Sequence, residues 1–507
     1  MKHSPFTFHL SLITSAALFL AVFLFFGLAY PHHLHYQEQY QLFLFDSSYV
    51  WEIVKQPGGV ADLLGRFCTQ FFLFAWVGAA IIAVLLVAVQ LLTLQLFSFH
   101  TSQQSFPSPL RGEAGVGSVL HCLSFVPSFL LWLFLLDEHA LMGGVWAVLL
   151  TLLAIWIMWI MGTVLRDTIA KGNWIIRTVP MILIALALPI LYWMVGPNWN
   201  GTHYYRYPSV TPTLLYAAWL SAILLPLAFR MLATVLRVHT KVPTKTVPSV
   251  PSVRQQIFHF SLFIFTFLLM MMLVWKSANF KAEKVMQYDF MACHQQWNRI
   301  LATATAEKPN NQIGVTVQNL ALAMHGLLAD HLFDYHQNGI AGLLPDVQSD
   351  ATSPMPTAEA FYQLGMVYVA QRTVFEAQEA ILDFQKSGRC YKRLAQTNLI
   401  IGSYEVSRKY LTALQKTLFY RDWANETLPL LGNEEAIAKH PEYGHLRRCA
   451  YQKDFYFSDH VTAEMLESLY YGNTENRLAL EYLKAYYMLT GNREGYTKLL
   501  QQLRVRR

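Results

Sequence analysis

Long apolar runs separated by short polar breaks fill the first half of the chain, and the second half shows the three- and four-residue apolar spacing of amphipathic helices. The runs predict seven membrane spans: Phe8–Tyr30, Phe71–Phe97, Val119–Leu136, Leu141–Leu165, Thr178–Val195, Thr213–Phe229 and Ile257–Trp275. The first lacks the small-x-small ending of a cleavable signal and is expected to be retained. Only Asp137–Ala140, DEHA, separates the third and fourth, which predicts a helical hairpin. Ser98–Ser118, with Pro107 and Pro109, reads as an irregular and dispensable loop, and the prolines and serines of residues 230–256 forbid a long structured element there.

The polar break at Tyr30–Phe72 is different. Acids, histidines and aromatics crowd it, and Val60, Leu63, Leu64, Phe67 and Phe71 follow the spacing of a helix lying flat on a membrane. Pro57, Gly58 and Gly59 predict the turn that precedes this helix, because proline presets φ and glycine accepts positive φ.

Composition sharpens the picture. The 507 residues are 54% hydrophobic and 14% charged, against about 25% charged in soluble domains. A membrane domain at 1–275, with an amphipathic outward loop at 31–70, followed by a helical domain at 276–507, is therefore expected. The net charge of +6 comes without a Lys/Arg cluster interleaved with aromatics, which argues against nucleic acid and leaves membrane lipids as the expected partner. The basic residues serve as topology signals instead. With the N-terminus inside, the inward segments hold ten Lys and Arg residues, and the outward loops hold three, Lys55, Arg66 and Arg206. Seven spans then place the chain beyond Lys276 outside the cytoplasm of a bacterial inner membrane, on the same side as Tyr30–Phe72.

The second domain shows a weak internal repeat. Leu394, Gly402 and Ser407 recur at the same offsets as Leu483, Gly491 and Tyr496, and Leu364, Arg372 and Ala377 fit that register with the glycine replaced. Stacked helix-turn-helix units of a tetratricopeptide-like array are expected, giving an all-α chain throughout. The five cysteines show no CxxC or CxxH spacing, so no metal site and no cofactor are proposed from them; Cys390 and Cys449 are the pair that an oxidising compartment would join.

YQEQYQLFLF followed by PGGVADLLGRFCTQFF, then QNLALAMHGLLADHLFDYHQNGIAGLLP and KRLAQTNLIIGSYEVSRKYLTALQKTLFYRDWA, resemble an uncharacterised family of multi-pass proteins from Bacteroidota. The resemblance implies an envelope location and a tetratricopeptide-like outer domain, and it brings no activity with it. The layout also resembles polytopic glycosyltransferases that use lipid-linked sugars, by analogy of arrangement alone.

That analogy directs attention to two carboxylates. Glu38 and Asp46, on one helix, would stand about 80° apart around its axis and face a shared cleft. Partial desolvation there raises a carboxylate toward the range of a general base, so Glu38 is the candidate catalytic base and Asp46 its neighbour. His35, Arg66, Tyr205 and Arg206 are candidate binders of a lipid-linked sugar phosphate. His32, His33 and His35 are metal-ligating residue types as well, but as consecutive residues at a span end they read first as interfacial. No Walker loop, nucleophile elbow or HExxH occurs. Without an enzymatic role, the same layout reads as a membrane-tethered scaffold whose repeat domain holds an envelope protein.

The orientation is testable. A reporter active only outside the cytoplasm, fused after Ala282, is expected to be active, and activity of a cytoplasm-only reporter at that position instead would refute the topology.

Overall fold

The computed structural model describes residues 5–103, 115–169, 212–239, 253–346, 353–381, 385–451 and 461–505. Among these the regular elements are all helical. Two compact units form: Met1–Glu38 with Asp46–Phe280, and Gln39–Phe45 with Lys281–Arg507.

In the first unit, α1 (Pro5–Leu24) continues through a π-helical turn, Phe25–Ala29, to α2 (Pro31–Glu38). Then come α3 (Ser47–Val54), α4 (Gly59–Thr69), α5 (Ala75–Gln103), α6 (Gly115–Leu123), α7 (Val126–Phe134), α8 (Met142–Ile169), α9 (Pro212–His239) and α10 (Val253–Ser277). Four described helices, not seven, are long and apolar enough to cross a membrane: Ser11–Ala29, Ala75–Phe97, Met142–Ile160 and Phe260–Ser277. The expected third and sixth spans are the shorter apolar stretches Val119–Phe134 and Thr213–Phe229. The third is also divided between α6 and α7, where Pro127 in the first turn of α7 removes a backbone donor. The expected fifth, Thr178–Val195, lies outside the described residues, as does most of Ser98–Ser118.

Apolar packing between these helices is supplemented by a polar seam. Ser15 Oγ donates to Gln90 Oε1 at 2.9 Å, and Gln90 Nε2 donates to Ser124 Oγ at 3.2 Å. Thr14 Oγ1 and His121 Nε2 share a bond of 2.9 Å beside them. Such bonds give α1, α5 and the α6–α7 junction a directional contact that hydrocarbon cannot replace.

The glycine turn forms as expected. Gly58, at φ +74°, caps α4, and a Cβ on Gly59 would stand 2.0 Å from the carbonyl oxygen of Ile53. α4 packs along α8 through its small residues, since a Cβ on Gly65 would meet Gly143 N at 2.3 Å. Gly59, Ala61, Gly65 and Cys68 are accordingly buried, whereas Leu63 and Leu64 are half-buried and Phe67 is exposed. The apolar stripe thus turns away from the protein, the orientation that a helix lying on lipid requires.

The second unit is built of helix hairpins: α11 (Phe280–Cys293) with α12 (Trp297–Glu307), α13 (Gln312–Met324) with α14 (Leu328–His331), α15 (Pro354–Leu364) with α16 (Val367–Ala380), and α17 (Gly388–Ile400) with α18 (Tyr404–Leu414). After them run α19 (Arg421–Thr427), α20 (Glu434–Lys439), α21 (Pro441–Cys449), α22 (Thr462–Gly472), and a last hairpin of α23 (Arg477–Thr490) and α24 (Arg493–Val505). One device closes all five hairpins. Gln296, Leu327, Met366, Ser403 and Asn492 each donate an N–H to the carbonyl five residues back, at 2.8 to 2.9 Å. The residue before each of them, Gln295, Gly326, Gly365, Gly402 and Gly491, has positive φ. These are Schellman turns, which satisfy the last carbonyls of one helix and reverse the chain into the next.

Gly402 and Gly491 are therefore equivalent turn residues. The third register is corrected: Arg372 lies inside α16, and the turn of that hairpin is Gly365. Cys390 and Cys449 are both buried and not joined in a disulfide.

Residues 39–45 complete this unit from far upstream. Leu42 N donates to Lys386 O at 2.8 Å and Phe45 N to Lys416 O at 2.7 Å, while Arg389 Nη1 donates to Gln39 Oε1 at 3.3 Å. Leu42 packs with Ala395, Leu411, Leu414 and Ala424. Leu42→Ala is expected to destabilise the second unit by about 2 kcal/mol. A fragment of residues 281–507 is expected to melt at higher temperature when a peptide of residues 39–45 is added, and an unchanged melting temperature would show that the segment contributes nothing to the fold.

Candidate functional site

α2 is held against the turn between α7 and α8 by two side chains. His33 is fully buried, with Nε2 at 2.9 Å from Leu135 O. A carbonyl only accepts, so Nε2 carries the proton. Burial lowers the pKa of His33 to about 4, against the opposing pull of the Leu135 carbonyl and of Asp137, and the ring is neutral. One turn later, Gln37 Nε2 donates to Asp137 O and Ala140 O, each at 3.2 Å. The turn itself is closed by Asp137 Oδ1, which accepts from His139 N at 2.9 Å and lies 3.4 Å from His139 Nδ1. Donor atoms of Asp137, Glu138 and His139 all fall within 4.8 Å of one another. From the sequence, these residues are only the link of a hairpin; three ligating residue types in a row between two spans was the signal available.

Glu38 ends α2 and is buried, 7% exposed. Asp46 is not on its helix. The helix ends before residues 41–46, which have no regular secondary structure, and Asp46, with extended backbone, caps α3, where Oδ1 accepts from Ser48 N at 2.9 Å and from the Ser48 hydroxyl. An aspartate preceding an apolar run competes for the first free N–H groups of a new helix, and this cap overturns the expected single helix and its 80° geometry.

His35 lies on α2 and is half-buried. Arg66 is gripped by its own helix, with Nε and Nη2 donating to Asp62 Oδ2 at 2.9 and 2.7 Å. Burial pulls the Arg66 pKa down, but Asp62 and Tyr49 outweigh it, so the guanidinium stays charged. Tyr205 and Arg206 lie outside the described residues. Of the six candidate side chains, the structure thus places four, and the two carboxylates sit on different elements.

The second unit holds a cluster of largely buried charges among its described residues. Arg389 grips Asp289 in a two-pronged contact of 2.5 and 2.8 Å. One helical turn on, Arg393 Nη2 donates to Glu359 Oε2 at 2.5 Å, and its guanidinium lies 3.7 Å from the centre of the Tyr362 ring. Tyr362 in turn donates to Glu442 at 2.8 Å. Burial works against both guanidinium charges, and Asp289 and Glu359 override it. Burial also pushes up the Cys293 thiol and, well above its usual range, the Tyr362 phenol. A thiol held protonated and carboxylates already matched by guanidinium groups join four helices, α11, α15, α17 and α21, and present no activated nucleophile.

Asp289→Ala is expected to destabilise the second unit by about 3 kcal/mol, because it leaves Arg389 buried without its carboxylate. The double change Asp289→Leu with Arg389→Met is expected to cost clearly less in a thermal melt. Equal losses in the two would show that the pair is not coupled.

The comparisons add family membership without an activity. No curated protein and no solved structure matches the chain. A family model matches residues 7–199 and 197–507. The chain therefore belongs to the family of unknown function DUF6057.

Proposed function

We propose that this protein is a membrane-anchored scaffold of the bacterial envelope, whose helical second unit, a tetratricopeptide-like array outside the cytoplasm, engages another envelope protein. The observation that carries this reading is the non-helical segment of residues 39–45, lodged among helices α17 to α19 by two backbone bonds and an apolar side chain. A surface of helix hairpins that takes a non-helical chain segment in this way has the chemistry of peptide recognition, with backbone bonds giving affinity and a side-chain pocket giving selectivity. α16 adds an aromatic face, where Tyr368 and Phe375, two turns apart, are 46% and 50% exposed.

The catalytic alternative, a glycosyltransferase-like enzyme with Glu38 as base and a lipid-linked sugar as donor, draws its support from the burial of Glu38 beside the histidines of α2. Against it stand Asp46 and Arg66, which hold a helix cap and a salt bridge.

Three strains separate the readings: a deletion, Glu38→Gln, and the pair Tyr368→Asp with Phe375→Asp. The scaffold reading expects Glu38→Gln to be silent and the aromatic pair to reproduce the deletion phenotype at normal protein level. If Glu38→Gln reproduces the loss of an envelope glycan seen in the deletion, the enzymatic reading replaces the scaffold.

A further inference from the structure

We propose that Asp137, Glu138, His139 and the side-chain oxygen of Gln37 bind one divalent transition-metal ion, of the Mn2+ or Zn2+ class. The three consecutive residues offer one donor atom each, all within 4.8 Å of one another. Metal–ligand bonds of about 2.0–2.2 Å place any two ligands at most about 4.4 Å apart, so closing this set onto an ion takes only a few tenths of an ångström.

Gln37 supplies the independent observation. It is 97% buried, being 3% exposed, and its amide is seated on the same turn through bonds from Nε2 to Asp137 O and Ala140 O. Two carbonyls cannot be satisfied by the amide oxygen, so the orientation of the group is fixed by its network. Its Oε1 is thereby left buried with no hydrogen-bond partner. Buried acceptors are nearly always paired, and a cation at the turn supplies what this oxygen lacks. A purely structural reading accounts for Asp137 as the cap of the turn and for the Gln37 nitrogen as a latch. It leaves the Gln37 oxygen and the convergence of Glu138 unexplained.

The donor set selects the class of ion. Two carboxylates balance a double positive charge, and an amide oxygen with an imidazole suits Mn2+ or Zn2+. Ca2+ and Mg2+ prefer oxygen alone, and the thiolates that favour Cu(I) are missing from the set. The inference does not depend on the scaffold reading, since either a scaffold or an enzyme can carry such an ion.

The test uses the full chain in detergent, stripped with a chelator and titrated with Mn2+ while free Mn2+ is followed by electron paramagnetic resonance. Saturable binding of one ion per chain at micromolar concentration is expected, with displacement by Zn2+ and none by equimolar Ca2+. Glu138→Gln keeps the shape of the side chain and is expected to weaken binding at least about tenfold, as are His139→Ala and Gln37→Leu. Absence of saturable binding to the unaltered chain would overturn the proposal without any variant. So would binding of unchanged strength in a folded Glu138→Gln, His139→Ala double variant, or displacement by equimolar Ca2+.

Discussion

Hydrocarbon offers no partner to a backbone N–H or C=O, and most of the first unit follows from that constraint. Each long apolar run must close its hydrogen bonds within itself, which makes it a helix. Polar side chains that remain inside must then find one another, as Ser15, Gln90 and Ser124 do. Where the chain leaves the apolar layer, backbone groups again need partners. Here side chains provide them: Asp46 caps α3, Gln37 covers two carbonyls of the Asp137–Ala140 turn, and His33 covers Leu135.

The second unit solves the same problem in another way. Its helices are short, and each hairpin must satisfy the last carbonyls of one helix before the next begins. Schellman turns do this five times, four of them with a glycine at the left-handed position and one with Gln295. The ion pairs of Arg389 and Arg393 then fix the hairpins in register, because a guanidinium buried between helices has one carboxylate geometry that satisfies it. Such a network gives positional definition more than net stability.

Family membership without an assigned activity places the weight on what side chains are free to do. Arg66 is tied to Asp62 and Asp46 to the start of α3, so two of the candidates drawn from the sequence serve local structure. The turn between α7 and α8 has the converse history. A four-residue link in the sequence, it brings together Asp137, Glu138, His139 and Gln37.

Local signals in the sequence determined that the described elements are helical, the glycine turn before α4 and the hairpins at Gly402 and Gly491, because period, proline and glycine act over a few residues. They also determined that the chain changes character near residue 276, since composition does. Tertiary structure alone decided the rest. The break between Glu38 and Asp46 was decided by a cap and by a non-helical segment whose partners, Lys386 and Lys416, lie more than three hundred residues away. The register of the α15–α16 hairpin was decided by where a left-handed turn fits, at Gly365, and the spacing of Leu364, Arg372 and Ala377 does not encode that position. Gln37 meets Asp137 across about a hundred residues of chain. A contact between residues so distant leaves no periodicity to read, because it depends on how helices pack and not on how either segment is written.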